Sequence, residues 1–343
     1  MHPARSFLRR SSHRLVLLLG GLALALPLAG PAAAEGRIRL AEQFGIGYLP
    51  LHVIRHHNLI EKHGRALGLD IAVEWAQLSG GAAMNDALLS GSIDVAAGGI
   101  APLLTIWDRT KGSANVKAIA TLNNLPIFLN SNNPNVRSVK DLTDKDRITV
   151  PSVKVSIQAR TLQIAAEQAF GEGKFDVLDK LTVAVPHPDA TAALLSGSSE
   201  ITATLSTPPF QYQQLQNPKV HRVFSSYELL GGPHTANLVW AKESFRTENP
   251  KTYQAFAAAL REAIAYINEN REGAAQAYIA VNGTGVDAAL LKMILADPDI
   301  QYTTDPINTG KYADFMHKVG ALKNKPASWK DYFFEDAHAG TGS

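Results

Sequence analysis

Hydrogen-bonding side chains recur where apolar runs of this sequence give way to helix-forming stretches. In the second half of the chain they are Lys154, Ser156 and Gln158 in one stretch, His187 in the next and Thr207 in a third. A cation and several neutral donors of this kind could converge on the acidic group of a ligand. Prolines flank His187 on both sides, so we expect its imidazole to be held facing a cleft and to donate a hydrogen bond. A solvated lysine and a surface histidine in a turn are the alternative interpretations.

The first half of the chain offers loops that bear glycine at comparable places. Glycine lets a ligand approach the backbone closely, and Ser79 could cap the following helix while donating its hydroxyl outward. A plain turn and cap is the alternative interpretation of Ser79 and the glycines after it. The candidate binding residues of this half are Gly47, Tyr48, Ser79, Gly80, Gly81, Gly99 and, further along the chain, Asn123.

Two aromatic residues could form walls around an organic ligand. Tyr48 lies in the first loop of the chain, and Phe210 follows Thr207 in the second half. Ligand pockets combine aromatic walls with a few placed polar groups, so this pair favours an organic or aromatic acid over bare nitrate. Packing of either ring in the core is the alternative interpretation.

Each candidate loop follows a predicted strand and precedes a predicted helix. In open α/β sheets, ligands bind beyond the carboxyl ends of the strands, where loops and helix amino termini gather. Residues 87–97 and 193–203 are near copies, and each copy is typical of a helix that ends at Ser-Gly and leads into a short strand. The sequence therefore predicts an α/β protein with two similar lobes and a cleft between them. We expect lobe 1 at residues 35–130, lobe 2 at 131–236 and a return to lobe 1 with C-terminal helices at 237–343.

The amino-terminal segment differs from the rest of the 343 residues. Residues 1–34 hold four arginines and an apolar run at 15–28, and they end in three alanines. This pattern predicts a secretory signal peptide cleaved after Ala34, with a membrane anchor as the alternative and the Sec and twin-arginine routes both open. The chain has no cysteine to form disulfides or carry a lipid, so we expect a soluble periplasmic protein that is not a lipoprotein. Loss of the leader changes the net charge from +2 to −2, which gives no reason to expect nucleic-acid binding.

Three motifs give the chain a specific resemblance. They are residues 47–51, residues 90–96 and residues 139–142; residues 197–200 depart from the usual pattern in ending on Glu200. With these motifs the chain resembles periplasmic solute-binding proteins of the nitrate, sulfonate and taurine class, the NMT1/THI5-like class that also includes binders of thiamine-pyrimidine precursors. The resemblance implies the type II periplasmic binding protein fold, whose two α/β lobes are joined by a two-crossing hinge and close over a small ligand. It also implies delivery of that ligand to an ABC permease and its ATPase in the inner membrane.

Other functions have weaker support in the sequence. His52 and His56 lie four residues apart, as zinc ligands do, but beyond Glu61 no acidic or cysteine partner sits at ligand spacing. No nucleophile elbow, P-loop or dinucleotide fingerprint follows a predicted strand. We therefore expect a monomeric binding protein that takes a small anionic organic ligand and has no cofactor, metal or catalytic activity. A binder of a pyrimidine precursor, or an exported enzyme or sensor module on the same fold, is the alternative.

Overall fold

The computed structural model describes residues 35–283 and 287–343, in which strands and helices alternate along most of the chain. The strands are β1 Arg37–Glu42, β2 Ala72–Gln77, β3 Val95–Gly99, β4 Lys117–Asn124, β5 Phe128–Ser131, β6 Ile148–Val150, β7 Thr182–Ala184, β8 Ala203–Ser206, β9 His221–Ser225, β10 Thr235–Ala241 and β11 Gln301–Tyr302. The helices are α1 Leu49–His57, α2 Leu59–Ala66, α3 Gly81–Ser90, α4 Ile100–Thr110, α5 Ile157–Phe170, α6 His187–Ser196, α7 Phe210–Leu215, α8 Ser226–Leu230, α9 Glu243–Glu248, α10 Pro250–Glu269, α11 Arg271–Asn282, α12 Ala288–Ala296 and α13 Thr309–Lys318.

The strands form two mixed sheets, one in each lobe. The first has the order β11-β4-β10-β3-β1-β2, and the second has the order β7-β6-β8-β5-β9. Within the first sheet β1 runs parallel to β2 and β3, while β10 runs antiparallel to β3 and β4. Within the second, β6 runs parallel to β7 and β8, while β5 runs antiparallel to β8 and β9. The prediction of two α/β lobes is confirmed.

The near-copied segments occupy equivalent places in the two sheets. In the first, α3 ends at Ser90 and Gly91 takes a left-handed φ of 77° before the chain enters β3. In the second, α6 ends at Ser196 and Gly197 takes a φ of 63° before the chain enters β8. Glycine suits both caps because it has no Cβ to clash in the left-handed region. In both lobes the three parallel strands also lie in the same order across the sheet: the second in sequence, then the first, then the third.

The chain crosses between the sheets twice. The first crossing lies at residues 125–127, between β4 and β5, and the second lies between β9 and β10. Strand β5 therefore belongs to the second sheet, although the expected boundary at residue 130 assigned most of it to lobe 1. The reason is pairing: Phe128 to Ser131 hydrogen-bond to β8 and β9, and a sequence pattern cannot reveal which sheet a short apolar strand joins. Strand β10 returns to the first sheet at Thr235, close to the expected position.

The central strands of the first sheet are buried on both faces, since their side chains alternate between two cores. On β10, Leu238 and Trp240 join a core with α3, α4 and α5 that continues into the second lobe. Val239 and Ala241 face the opposite way, into a core with α1, α2, α10, α11 and α12. The helices between the two sheets thus pack the lobes against each other.

The predicted signal peptide, residues 1–34, lies outside the described residues. Among the helices of residues 35–283 and 287–343, none combines the length and apolarity needed to span a membrane. Nor do these residues contain a group of three or more histidine, aspartate or glutamate side chains placed to hold a metal ion.

Candidate ligand-binding site

A small cavity of about 20 Å³ lies between the lobes, beyond the carboxyl ends of the central strands. Its polar lining consists of amide, hydroxyl, phenol and imidazole groups, and none of the described residues that line it is lysine, arginine or a carboxylate. We call it the inter-lobe cavity. It is lined by Gln43, Phe44, Tyr48, Gly81, Gly99, Pro102, Ser156, Ile157, Gln158, His187, Thr207 and Asn237.

Four helices direct their amino termini at the inter-lobe cavity. Helix α3 begins at Gly81, α4 has Gly99 as its N-cap, α5 has Ser156 as its N-cap, and α6 begins at His187. The first turn of a helix leaves backbone N–H groups unpaired and carries a partial positive charge. The cavity thus has a positive character without a charged side chain, which suits a small anionic group.

Glycines let the two lobes approach each other closely at this cavity. A Cβ on Gly99 would lie 2.7 Å from Ile157 Cγ2, and one on Gly80 would lie 2.5 Å from the carbonyl oxygen of Pro151. Ile157 and Pro151 both belong to the second lobe, whereas Gly80 and Gly99 belong to the first. At these positions the absence of a side chain admits the opposite lobe, not only a ligand.

His187 is buried in the cavity wall and is uncharged at neutral pH. Burial lowers its pKa to about 4. Its Nε2 accepts a hydrogen bond from the Gln158 amide at 3.2 Å and lies 3.4 Å from the Thr207 hydroxyl oxygen. Its ring stacks on that of Phe210 with the centroids 5.5 Å apart. The expected imidazole does face the cavity, but it contributes a neutral ring that uses Nε2 as an acceptor.

Tyr48 is held in the opposite wall by a chain of buried amides. The Asn237 side chain donates to the Tyr48 hydroxyl at 3.0 Å, and the Asn237 backbone N–H donates to Asn123 Oδ1 at 3.3 Å. Asn123 in turn donates to the carbonyl oxygen of Gly47. Burial raises the pKa of Tyr48, so its hydroxyl keeps its proton. Gly47 and Asn123 therefore stand one step behind the lining and support Tyr48.

Besides Gly47, Gly80 and Asn123, which adjoin the lining without being part of it, three predicted residues lie away from the cavity. Ser79 is exposed, and the N-cap of α3 is Gly80, so the expected serine cap is wrong. The oxygen that reaches this helix start is the Ser152 hydroxyl of the second lobe, which accepts from Ala82 N–H at 3.4 Å. Lys154 is exposed in a left-handed conformation with φ 60°, and its ammonium is not part of the lining.

Phe210 is the third predicted residue that lies away from the cavity. It stands behind His187 and lines a different space. It therefore does not face Tyr48 across the cavity in this conformation. Helix α6 begins at His187, so Asp189 lies in its first turn and is not its N-cap residue.

Several lining residues were missed in the sequence. Gln43 and Phe44 directly follow β1, so the strand-end rule could have found them, although neither has the glycine that marks the loop after them. Asn237 lies inside β10, and its place in the wall depends on the antiparallel return of that strand. Pro102 and Ile157 line the cavity as apolar residues of the first helical turns, which no polar pattern reveals.

A second, larger space opens beside the cavity, again between the lobes. Its volume is about 600 Å³, and Phe44 lines both spaces. We call it the outer groove. It is lined by Glu42, Phe44, Gly45, Arg55, Trp75, Ala76, Gln77, Pro188, Thr191, Pro209, Phe210, Gln213, Tyr278, Val281 and Asn282.

Comparison with known proteins agrees with this architecture. The model of the NMT1-like family matches residues 39–281. Among curated proteins, none matches the chain.

Solved structures share the fold at low sequence identity. The alkanesulfonate-binding protein SsuA of Xanthomonas axonopodis pv. citri, bound to MOPS, is 19% identical with a TM-score of 0.66, covering 85% of this chain and 96% of that one. The periplasmic aliphatic sulphonate binding protein SsuA of Escherichia coli is 18% identical with a TM-score of 0.62, covering 88% and 93%. The periplasmic nitrate-binding protein NrtA of Synechocystis PCC 6803 is 16% identical with a TM-score of 0.65, covering 89% and 84%. The chain therefore has the periplasmic binding protein fold.

Proposed function

The chain belongs to the NMT1-like family, and we propose that it is the solute-binding component of an ABC importer. It captures a small organic anion, a sulfonate or a carboxylate, between its lobes and delivers it to a permease and its ATPase in the inner membrane. It functions in the periplasm, to which residues 1–34 direct its export before they are cleaved. The similar solved structures named above bind alkanesulfonates and nitrate, which supports an oxyanion as the cargo.

The convergence of four helix amino termini on one polar cavity carries this proposal. Backbone N–H groups at the starts of α3, α4, α5 and α6 supply positive potential, and Tyr48, Ser156 and Gln158 add neutral donors. Neutral donors and helix dipoles hold an anion without a full opposing charge, so release to the permease does not require breaking an ion pair. A binding protein needs this combination of capture and release.

The size of the inter-lobe cavity implies that the lobes move. A volume of about 20 Å³ is close to what a single water molecule requires. An organic acid therefore enters only when the lobes separate about the two crossings, and its acidic group then sits where the four helices start. Contacts from both lobes would hold the liganded form together.

Titration calorimetry with the purified protein tests the proposal. The probes are methanesulfonate, benzenesulfonate, acetate, benzoate and nitrate, with benzamide as an uncharged analogue of benzoate. We expect at least one acid to bind and benzamide to fail, because the cavity favours negative charge. Equal binding of benzamide and benzoate, or binding of no probe, would contradict the proposal.

A matched pair of variants locates the binding site. Gln158→Ala removes a donor from the cavity wall and should lower acid affinity about 10- to 100-fold, the usual value of a hydrogen bond to a charged group. Gln216→Ala alters an exposed glutamine outside the lining and should leave the affinity unchanged. Mass spectrometry of the acid after prolonged incubation separates binding from catalysis, since a binding protein returns its ligand unaltered.

A further inference from the structure

We infer that the outer groove is a second ligand subsite, in which the Glu42 carboxylate binds a protonated amine carried on an apolar or aromatic body. The inference rests on the proposed function and narrows its ligand class. The cargo is then an acid that also carries a basic group, with the acid at the helix starts and the base in the groove.

Glu42 is a buried carboxylate whose Oε2 makes no hydrogen bond among the described residues. Its side chain is only 5% exposed, and it lines the groove at the end of β1. His52 Nε2 lies 3.2 Å from Glu42 Oε2, yet it too is without a hydrogen bond there, so the two groups are near but poorly aligned. Burying a carboxylate without donors is costly, and a ligand N–H group would remove that cost.

The walls around Glu42 suit the body of an organic cation. The rings of Phe44, Trp75, Phe210 and Tyr278 line the same groove. Aromatic faces attract ammonium groups and pack against apolar or planar ligand bodies. The groove volume of about 600 Å³ lies within the ~300–1,000 Å³ typical of small-molecule pockets.

The charges of the groove favour a cation at its buried end. Arg55 is the other charged residue of the described lining, but it is exposed, and its guanidinium lies over the Trp75 ring at 5.9 Å. Solvent and salt screen an exposed charge, whereas they screen a buried one much less. Glu42 is therefore the charged residue of the described lining that solvent and salt screen least.

Glu42 also couples the groove to the inter-lobe cavity. Burial is the main cause of the raised pKa of Tyr48, in the cavity, and of Tyr278, in the groove, and the negative charge of Glu42 is the second cause for both. Phe44 lines both spaces. A simple anion in the cavity would be repelled by Glu42, while an acid that carries an amine would neutralise it. The same carboxylate thus penalises one ligand class and rewards the other.

Paired probes test the subsite by titration calorimetry. 4-(Aminomethyl)benzoate is compared with 4-methylbenzoate, and 4-(aminomethyl)benzenesulfonate with 4-methylbenzenesulfonate, so that each pair differs only in the amine. We expect the amine to improve affinity about 10- to 100-fold in the unmodified protein, as a charge-assisted hydrogen bond does. Glu42→Gln should abolish that preference, whereas Glu200→Gln, which alters an exposed carboxylate of the second lobe, should retain it.

The outcomes separate this inference from the proposed function. Equal affinity within each pair would overturn the amine subsite and leave acid binding intact. Failure of both members of both pairs, in a protein that binds an acid of the first panel, would overturn the amine subsite alone, and failure of the first panel as well would overturn the two proposals together. Should Glu42→Gln not fold, Trp75→Leu serves instead. It should weaken the aminomethyl probes several-fold through loss of a cation-binding face, and unchanged affinity would count against the groove.

Discussion

Gly99→Ala should impair closure of the lobes without unfolding either of them. The added Cβ would lie 2.7 Å from Ile157 Cγ2 and 2.9 Å from Ile157 Cβ. Carbon atoms in ordinary contact are ~3.5–4.0 Å apart, so the lobes must separate by roughly 1 Å at this point. Ile157 can hardly yield, because it is buried in the first turn of α5 and a β-branched side chain has little rotamer freedom in a helix.

The magnitude follows from the usual cost of overpacking a well-packed contact. That cost is about 1–3 kcal/mol, which corresponds to roughly 5- to 150-fold in affinity when it is borne only by the closed, liganded form. The backbone of Gly99 has an ordinary extended conformation, so alanine brings no backbone strain of its own. The melting temperature without ligand should therefore change little.

Calorimetry with the tightest acid of the panel measures this effect, and thermal unfolding checks the fold. Gly310→Ala is the matched control, because no atom lies within 4 Å of a Cβ built there. Wild-type affinity in Gly99→Ala would refute the reasoning, since it would mean that the ligand is bound without the close approach of Gly99 and Ile157.

Three further predictions concern buried histidines, the hinge and the exposed lysine. Burial lowers the pKa values of His187 and His234 to about 4, so between pH 6.5 and 4 the unfolded chain binds more protons than the folded chain. The free energy of unfolding should therefore be greatest above pH 6.5 and fall towards pH 4. His234→Gln should make this pH dependence shallower in thermal unfolding. Ser226→Ala removes the hydroxyl that accepts from Ile127 N–H and meets His234 Nε2, each at 2.8 Å, and should cost about 1–3 kcal/mol in chemical denaturation; an unchanged midpoint would show that these bonds contribute nothing to the hinge. Lys154→Ala should leave acid affinity within about twofold in calorimetry, the scatter usual for exposed charges, and a tenfold loss would place its ammonium on the ligand.

Some elements follow from local rules and were predictable residue by residue. Strand β1 is a short run that alternates charged and apolar residues at its start, and α10 begins at Pro250 after an asparagine, where proline suits the first helical turn. Strands β9 and β11 do not follow from local rules, for physical reasons. The first mixes charged and apolar residues without clear alternation, and the second is only two residues long and exists through its pairing with β4.

The candidate site likewise contains residues that a local rule places correctly and residues that it does not. Ser156, Gln158, His187 and Thr207 follow strand ends, and that topology brought them to the inter-lobe cavity as predicted by the strand-end rule. Lys154 lies in the same loop as Ser156, but its left-handed backbone directs it elsewhere. A loop conformation of this kind depends on the packing of both lobes, so no sequence pattern distinguishes Lys154 from Ser156.

The sequence by itself determined the two-lobed α/β fold and the loops in which binding residues lie. It could do so because apolar alternation, glycine caps and strand-to-helix order depend on neighbours along the chain. Only the tertiary structure decided that Gln43 and Asn237 line one cavity with Gln158, that Phe210 stands behind His187, and that Glu42 lies buried at the groove. These relations join residues that are not neighbours in sequence, and packing within and between the lobes fixes their distances.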